Sequence, residues 1–141
     1  MQKGWNRIGY TSPISLPIAQ AMVASVSAEG HGLAIALADD GEYDFESAFS
    51  AALGKTPAVT GGSWKLPLRS DWTTMAAGCG GYTTINAKLG SVGGTALVDN
   101  YWAPESRDVP YTINFGDSEL ENPFTPAQSF QTSKIRASLV F

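Results

Sequence analysis

Two stretches near the C-terminal end alternate apolar and polar residues, Tyr111-Thr112-Ile113-Asn114-Phe115 and Ile135-Arg136-Ala137-Ser138-Leu139-Val140-Phe141. A period of two is the mark of a half-buried β-strand, so the rest of the chain must supply a core for both to cover. On that period Tyr111, Ile113 and Phe115 face inward, as do Ile135, Ala137, Leu139 and Phe141, while Thr112 and Asn114 project from the opposite side. Between the strands, residues 116–133 mix acids (Asp117, Glu119, Glu121), amides (Asn122, Gln128, Gln131), two prolines and two phenylalanines without any helical or strand period. Clean strands flanking such a loop describe a rigid frame that presents a contact surface.

Composition limits the alternatives. The chain of 141 residues has the length of one domain able to bury a core without metals or disulfides, and 43% hydrophobic with 16% charged residues excludes a disordered polymer. A net charge of −4, with Arg7, Arg69, Arg107 and Arg136 scattered, argues against nucleic acid or an anionic membrane as partner. No apolar run approaches the roughly 18 residues of a membrane span, so membrane insertion is not expected. Cys79 stands alone and is read as a small buried hydrophobe in a helix, with no internal disulfide. Met1-Gln2-Lys3-Gly4-Trp5 lacks the pattern of a secretory signal, which fits a domain of a longer exported chain or of an assembly.

Residues 1–20 are difficult to assign: Pro13 and Pro17 disfavour a helix and leave an extended segment. Ala21–Val26 reads as a strand, Glu29–Gly32 as its turn, and Leu33–Ala38 as a second strand closed by the turn Asp39-Asp40-Gly41. Phe45, Ala48, Phe49, Ala52 and Leu53 share one helical face, with Asp44 as N-cap and Gly54 as stop. A second helix, capped by Ser70, puts Trp72, Met75, Ala76 and Cys79 on one side, and Thr83–Leu89 makes a further short helix with Ile85 and Leu89 inward. The expected architecture is a single α+β domain over residues 1–141, two main helices on a largely antiparallel, twisted sheet with long loops.

Several strings carry a resemblance: Glu29-Gly30-His31-Gly32-Leu33-Ala34-Ile35-Ala36-Leu37-Ala38-Asp39; Thr60-Gly61-Gly62-Ser63-Trp64-Lys65-Leu66-Pro67 with Asp71-Trp72 and Met75; Gly93-Gly94-Thr95-Ala96-Leu97; Tyr101-Trp102; Asn114-Phe115; and Ile135 to Phe141. In this order, from about residue 21 to the end, they resemble the C-type-lectin-fold domains at the C-terminal ends of surface proteins of gut bacteria and their phages. Within that group the chain is most similar to the variable proteins of diversity-generating retroelements, in which a fixed frame carries hypervariable, ligand-binding positions. The chain differs after Trp102, where Ala103-Pro104-Glu105-Ser106 stands in place of the usual Ser-Ser-Thr-Glu. The resemblance implies a non-catalytic receptor or adhesin domain, displayed on a cell surface or phage particle, that binds a protein or glycan on another surface.

The same fold class includes formylglycine-generating enzymes, which need a cysteine pair for copper, and iron-dependent sulfoxide synthases, which need three histidines. Cys79 and His31 are the only residues of their kinds, so neither centre can be assembled from one chain. His31 sits in a glycine-flanked turn, and no Gly-x-Ser-x-Gly elbow, dinucleotide fingerprint or P-loop is present. Asp117, Glu119, Glu121 and Asn122 read as a solvated acidic loop rather than a calcium site, so no metal and no cofactor is expected. Trp64, Trp72 and Trp102 lie within apolar patterns and belong to the core. The expected contact set is Tyr101 and Phe124 as aromatic anchors, surrounded by Arg107, Asp108, Thr112, Asn114, Asp117, Glu119, Asn122 and Gln128. Competing readings are a carbohydrate hydrolase using the loop carboxylates and a fibre or pilus subunit.

Overall fold

The strand over Ala21–Val26 (β1) runs antiparallel to Gly32–Ala36 (β2). Their connecting turn needs Gly30, whose φ of 87° lies in the left-handed region, and His31 is exposed beside it. The computed structural model describes residues 20–116 and 123–141. After β2 come β3 (Glu42–Tyr43), α1 (Phe45–Leu53), β4 (Ser63–Lys65), α2 (Arg69–Gly78), α3 (Tyr82–Ser91), β5 (Asn100–Trp102), β6 (Tyr111–Asn114), β7 (Phe124–Pro126), β8 (Ser133–Lys134) and β9 (Ser138–Val140). The α+β class expected from the patterning holds, but the strands form two sheets rather than one. Their orders are β1-β2-β9-β4 and β3-β8-β5-β6-β7. All strand pairs are antiparallel except β5 with β8.

The helices follow local chemistry. In α1, the Asp44 carboxylate accepts the Ser47 N–H at 2.8 Å, and the Gly54 N–H closes the far end on the Ser50 carbonyl at 3.0 Å. This helix buries Phe45, Ala48 and Ala52, whereas Leu53 is 68% exposed, contrary to its expected place on the inner face. It lies one step of about 100° around from Ala52, beyond the narrow stripe that meets the sheet. The cap of α2 is not Ser70. The cap position is Leu68, two residues earlier, and the Leu68 N–H is held by the Asp71 carboxylate at 2.9 Å. That carboxylate also pairs with Lys65 at 2.7 Å. At ten residues, α3 matches α2 in length, so three comparable helices stand where two main ones were expected.

Two apolar clusters fill the interior, one around Ile35, Trp72, Met75, Leu89, Tyr101 and Ile113, the other around Phe45, Trp64, Trp102, Ile135 and Leu139. Neighbouring residues of one strand serve different clusters: on β5, Tyr101 enters the first and Trp102 the second. The three described tryptophans are buried as expected, and each indole N–H has an acceptor: the Pro57 carbonyl for Trp64 (3.0 Å), the Trp102 carbonyl for Trp72 (3.3 Å), and the Tyr43 carbonyl for Trp102 (2.7 Å).

Ile135 to Leu139 departs from the half-buried pattern. Ile135, Ala137 and Leu139 are buried, but so are Arg136 and Ser138, because the segment runs with covered ground on both sides. Regular pairing is confined to β9, which lies between β2 and β4. Helix α2 packs close against β1: at Gly78 a Cβ would sit 1.8 Å from the Ala24 carbonyl oxygen, a distance no side chain survives.

Candidate functional site

The frame beneath the expected contact surface is polar at its centre. Arg136 is fully buried, yet each of its guanidinium N–H groups has an acceptor. Nε and Nη2 donate to Asp39 Oδ1 at 3.0 and 2.7 Å, Nη1 to the carbonyls of Thr95 (2.8 Å) and Ala36 (3.3 Å), and Nη2 also to that of Ala96 (3.4 Å). The Tyr101 hydroxyl donates to the same Asp39 oxygen at 2.8 Å and accepts the Val98 N–H at 3.0 Å. Burial, reinforced by the Asp39 carboxylate, pushes the Tyr101 phenol up to about 12. Asp40 continues the arrangement by accepting the Ala137 N–H at 2.9 Å and pairing with Lys55. The turn Asp39-Asp40 thus ties the C-terminal segment to the loop before β5.

Onto this frame are mounted the residues that meet solvent. The connection after β5 turns through residues 105–109, closed by the Glu105 N–H on the Val109 carbonyl at 2.9 Å, and lies between two helices. On one side the Arg69 N–H, at the start of α2, donates to the Pro104 carbonyl at 2.8 Å. The Arg69 guanidinium pairs with Glu105 at 3.1 Å and lies 4.8 Å from the Tyr111 ring centre and 5.1 Å from that of Phe124. Tyr82 of α3 meets Phe124 edge-on at 6.0 Å. On the other side Arg107 lies 4.1 Å over the Phe49 ring of α1 and reaches Glu46 at 3.4 Å. Next to it, the Ala127 N–H binds the Pro110 carbonyl and the Ser129 carbonyl accepts the Phe45 N–H, placing the turn at 127–131 along the same side. Phe130 on that turn is 78% exposed.

The expected contact residues divide accordingly. Arg107 and Asp108 are exposed together on the 105–109 turn, and Gln128 is exposed on the neighbouring one, where its N–H is held by the Gln131 side chain at 2.6 Å. Phe124 is half-buried and joins them through Tyr111, Arg69 and Glu105. Asn114 is half-buried at the opposite end of β6, its side chain accepting the Gly116 N–H at 2.6 Å, so it does not converge with Arg107. Asp117, Glu119 and Asn122 lie outside the described residues.

Two expectations fail. Tyr101 is not an exposed anchor: it is fully buried against Trp72 and Phe115, with its hydroxyl in the Asp39 network. Thr112 is 7% exposed, because it pairs across β5 with Trp102 and shares the side that the second cluster covers. Conversely, Arg69, Glu105 and Tyr82, which the patterning did not single out, lie beside these residues, as do Tyr111 and Phe49, which it placed inward but which are only half-buried beneath Arg69 and Arg107. Their cue, arginines flanking aromatic positions on separate elements, is legible only once the elements are placed.

Among the described residues no three side chains of the metal-ligating kinds converge. Cys79 is buried at the end of α2, where desolvation pushes its thiol up and away from the reactive thiolate. No helix among the described residues is long and apolar enough to cross a membrane. Compared with known proteins, the chain matches no family model, no characterised protein and no solved structure.

Proposed function

We propose that the chain is a non-catalytic ligand-binding domain, a receptor or adhesin of C-type-lectin-like fold, whose contact face is built on residues 105–111 and 124–131 with Arg69, Phe49 and Glu46 at its flanks. Its ligand is a protein or glycan on another cell surface. The domain works outside the cell, on a cell surface or phage particle, and the segment around its face is the part a diversity-generating retroelement rewrites. The observation that carries this reading is the division of labour in the final third. Buried, fully hydrogen-bonded groups hold the backbone, while Arg107, Asp108, Gln128 and Phe130 stand outside it. Arg69 and Arg107 rest on aromatic rings, which limits the rotamer freedom they would lose on contact. Arginine and aromatic side chains are also the types that dominate binding hot spots.

The test compares face with frame. Arg107→Ala, Asp108→Ala and Gln128→Ala combined are expected to weaken binding to whole cells or to arrayed glycans and surface proteins by about tenfold or more. Each exposed change alters stability by no more than about 0.5 kcal/mol. Trp102→Ala is expected to cost about 3–5 kcal/mol of stability instead. Undiminished binding by the folded triple variant refutes the assignment of the face. Diversification has its own test: a neighbouring reverse-transcriptase gene and a near-copy of the DNA encoding residues 100–141 that differs at adenines.

A further inference from the structure

Three aromatic rings of the contact face are already covered. Tyr111 and Phe124 are half-buried and share the Arg69 guanidinium, and Phe49 is half-buried under that of Arg107. A neutral sugar is held largely by laying its apolar side on an open ring, and each of these rings carries a guanidinium where the sugar would lie. Phe130 differs: its ring is 78% exposed on the turn at 127–131. Val109, 42% exposed, stands on the neighbouring turn, and the Ala127 N–H joins the two turns through the Pro110 carbonyl at 3.1 Å. Polar troughs run along both flanks, one beside Ser70, Thr73 and Thr74 of α2 and one beside Ser47 and Ser50 of α1. Charge is nearly balanced. Arg69 and Arg107 pair with Glu105 and Glu46, and Asp108 leaves these described residues one negative charge in surplus. Among them no excess of positive charge is left to draw in a sulfated or acidic glycan.

We propose, resting on the contact face assigned under the proposed function, that its ligand is a folded protein rather than a glycan, and that the partner takes the Phe130 ring into an apolar hollow. An aromatic side chain that projects between polar margins is the layout of a protein–protein interface, in which an apolar anchor is ringed by groups that hydrogen-bond at the rim. Small ligands are instead drawn into concave, mostly apolar pockets, and here the apolar groups stand outward while the hollows beside them are lined with hydroxyls. Phe130 is the anchor, and Arg107, Asp108 and Gln128 meet polar groups at the edge of the partner's hollow.

The probe is a set of whole cells that bind the unaltered full chain, used in three forms: untreated, shaved with protease, and oxidised with periodate, which cleaves sugar diols. Shaving is expected to abolish binding and oxidation to leave it within about twofold. On untreated cells Phe130→Ser is expected to weaken binding by about tenfold to a hundredfold, the factor that corresponds to losing the burial of one phenylalanine, with the melting temperature unchanged. Phe130→Leu, which keeps an apolar side chain, is expected to fall between the two. Loss of binding on oxidation, with or without loss on shaving, overturns the proposal and gives the face to a glycan; binding that survives both treatments overturns it as well. Undiminished binding by Phe130→Ser, while the Arg107, Asp108 and Gln128 triple variant is impaired, removes Phe130 as the anchor and leaves the face assigned. Undiminished binding by both variants removes the face itself.

Discussion

Removing the carboxylate of Asp39 is the sharpest way to ask whether the frame is held as described. Asp39→Ala deletes the acceptor for Arg136 Nε and for one Nη2 donor, along with the acceptor of the Tyr101 hydroxyl. The guanidinium stays where it is, with a side chain of 0% exposure, and keeps only its three backbone carbonyls. Breaking a buried pair from one side costs about 3–5 kcal/mol. Because Asp39 is itself 33% exposed, water can reach part of the space it vacates, and the lower end of that range, about 3 kcal/mol, is expected. Against the 5–15 kcal/mol that usually separates a folded domain from its unfolded chain, this is a large fraction. Urea unfolding should register it as a fall in midpoint of about 1–3 M at unchanged slope. Arg136→Met, alone and combined with Asp39→Ala, completes a double-mutant cycle, and Asp39→Asn supplies a milder step should the alanine variant be too unstable to titrate. A coupling of about 1–3 kcal/mol is expected between the two positions. If Asp39→Ala costs less than about 0.5 kcal/mol, or the two changes simply add, the guanidinium does not depend on this carboxylate and the account of the frame is wrong.

Tyr101 should lag the other tyrosines in a phenolate absorbance titration. An unfolded tyrosine ionises near 10.0 and the buried one near 12, so between these values the unfolded chain gives up a proton that the folded one keeps. The unfolding free energy therefore falls as pH rises through that window, and the contribution is fully present below it. Simultaneous titration of all five tyrosines near their ordinary value would refute the buried placement. Gly78→Ala sets two effects against each other, a helix-propensity gain of about 1 kcal/mol and an overlap with the Ala24 carbonyl costing about 1–3 kcal/mol or more. With the added carbon 1.8 Å from that oxygen, the overlap wins and the melting temperature falls; a rise would mean that α2 is not seated on β1 in this way.

What could be read from the chain and what could not differ in range. Helix α1 was legible to its ends because its cap, stripe and stop lie within ten residues of one another. The β1–β2 hairpin was legible for the same reason. Arg136 with Asp39 was not: 97 positions separate them, and a period-two pattern treats every polar residue between apolar ones as solvent-facing. Ser138 was misplaced by the same rule. The misplacement of Tyr101 and Thr112 has a related cause, since alternation says which neighbours share a side but not that a second layer covers the other side. Arg107, Asp108 and Gln128 are exposed as expected, because tight turns keep their side chains in water whatever lies beneath. The guanidinium-on-ring contacts of Arg69 and Arg107 join separate elements, and no local signal announces them.

Residues 133–141 have a consequence for how the molecule comes into being. Without β8, strand β3 has no place beside β5, and without β9, strand β4 has nothing to join it to β2. During synthesis both layers must therefore wait, incomplete, until the ribosome has released this stretch. A fragment that stops before residue 133 would expose open strand edges to its neighbours, so a stop codon placed ahead of this stretch should yield aggregate or proteolytic debris rather than a shortened, still serviceable protein.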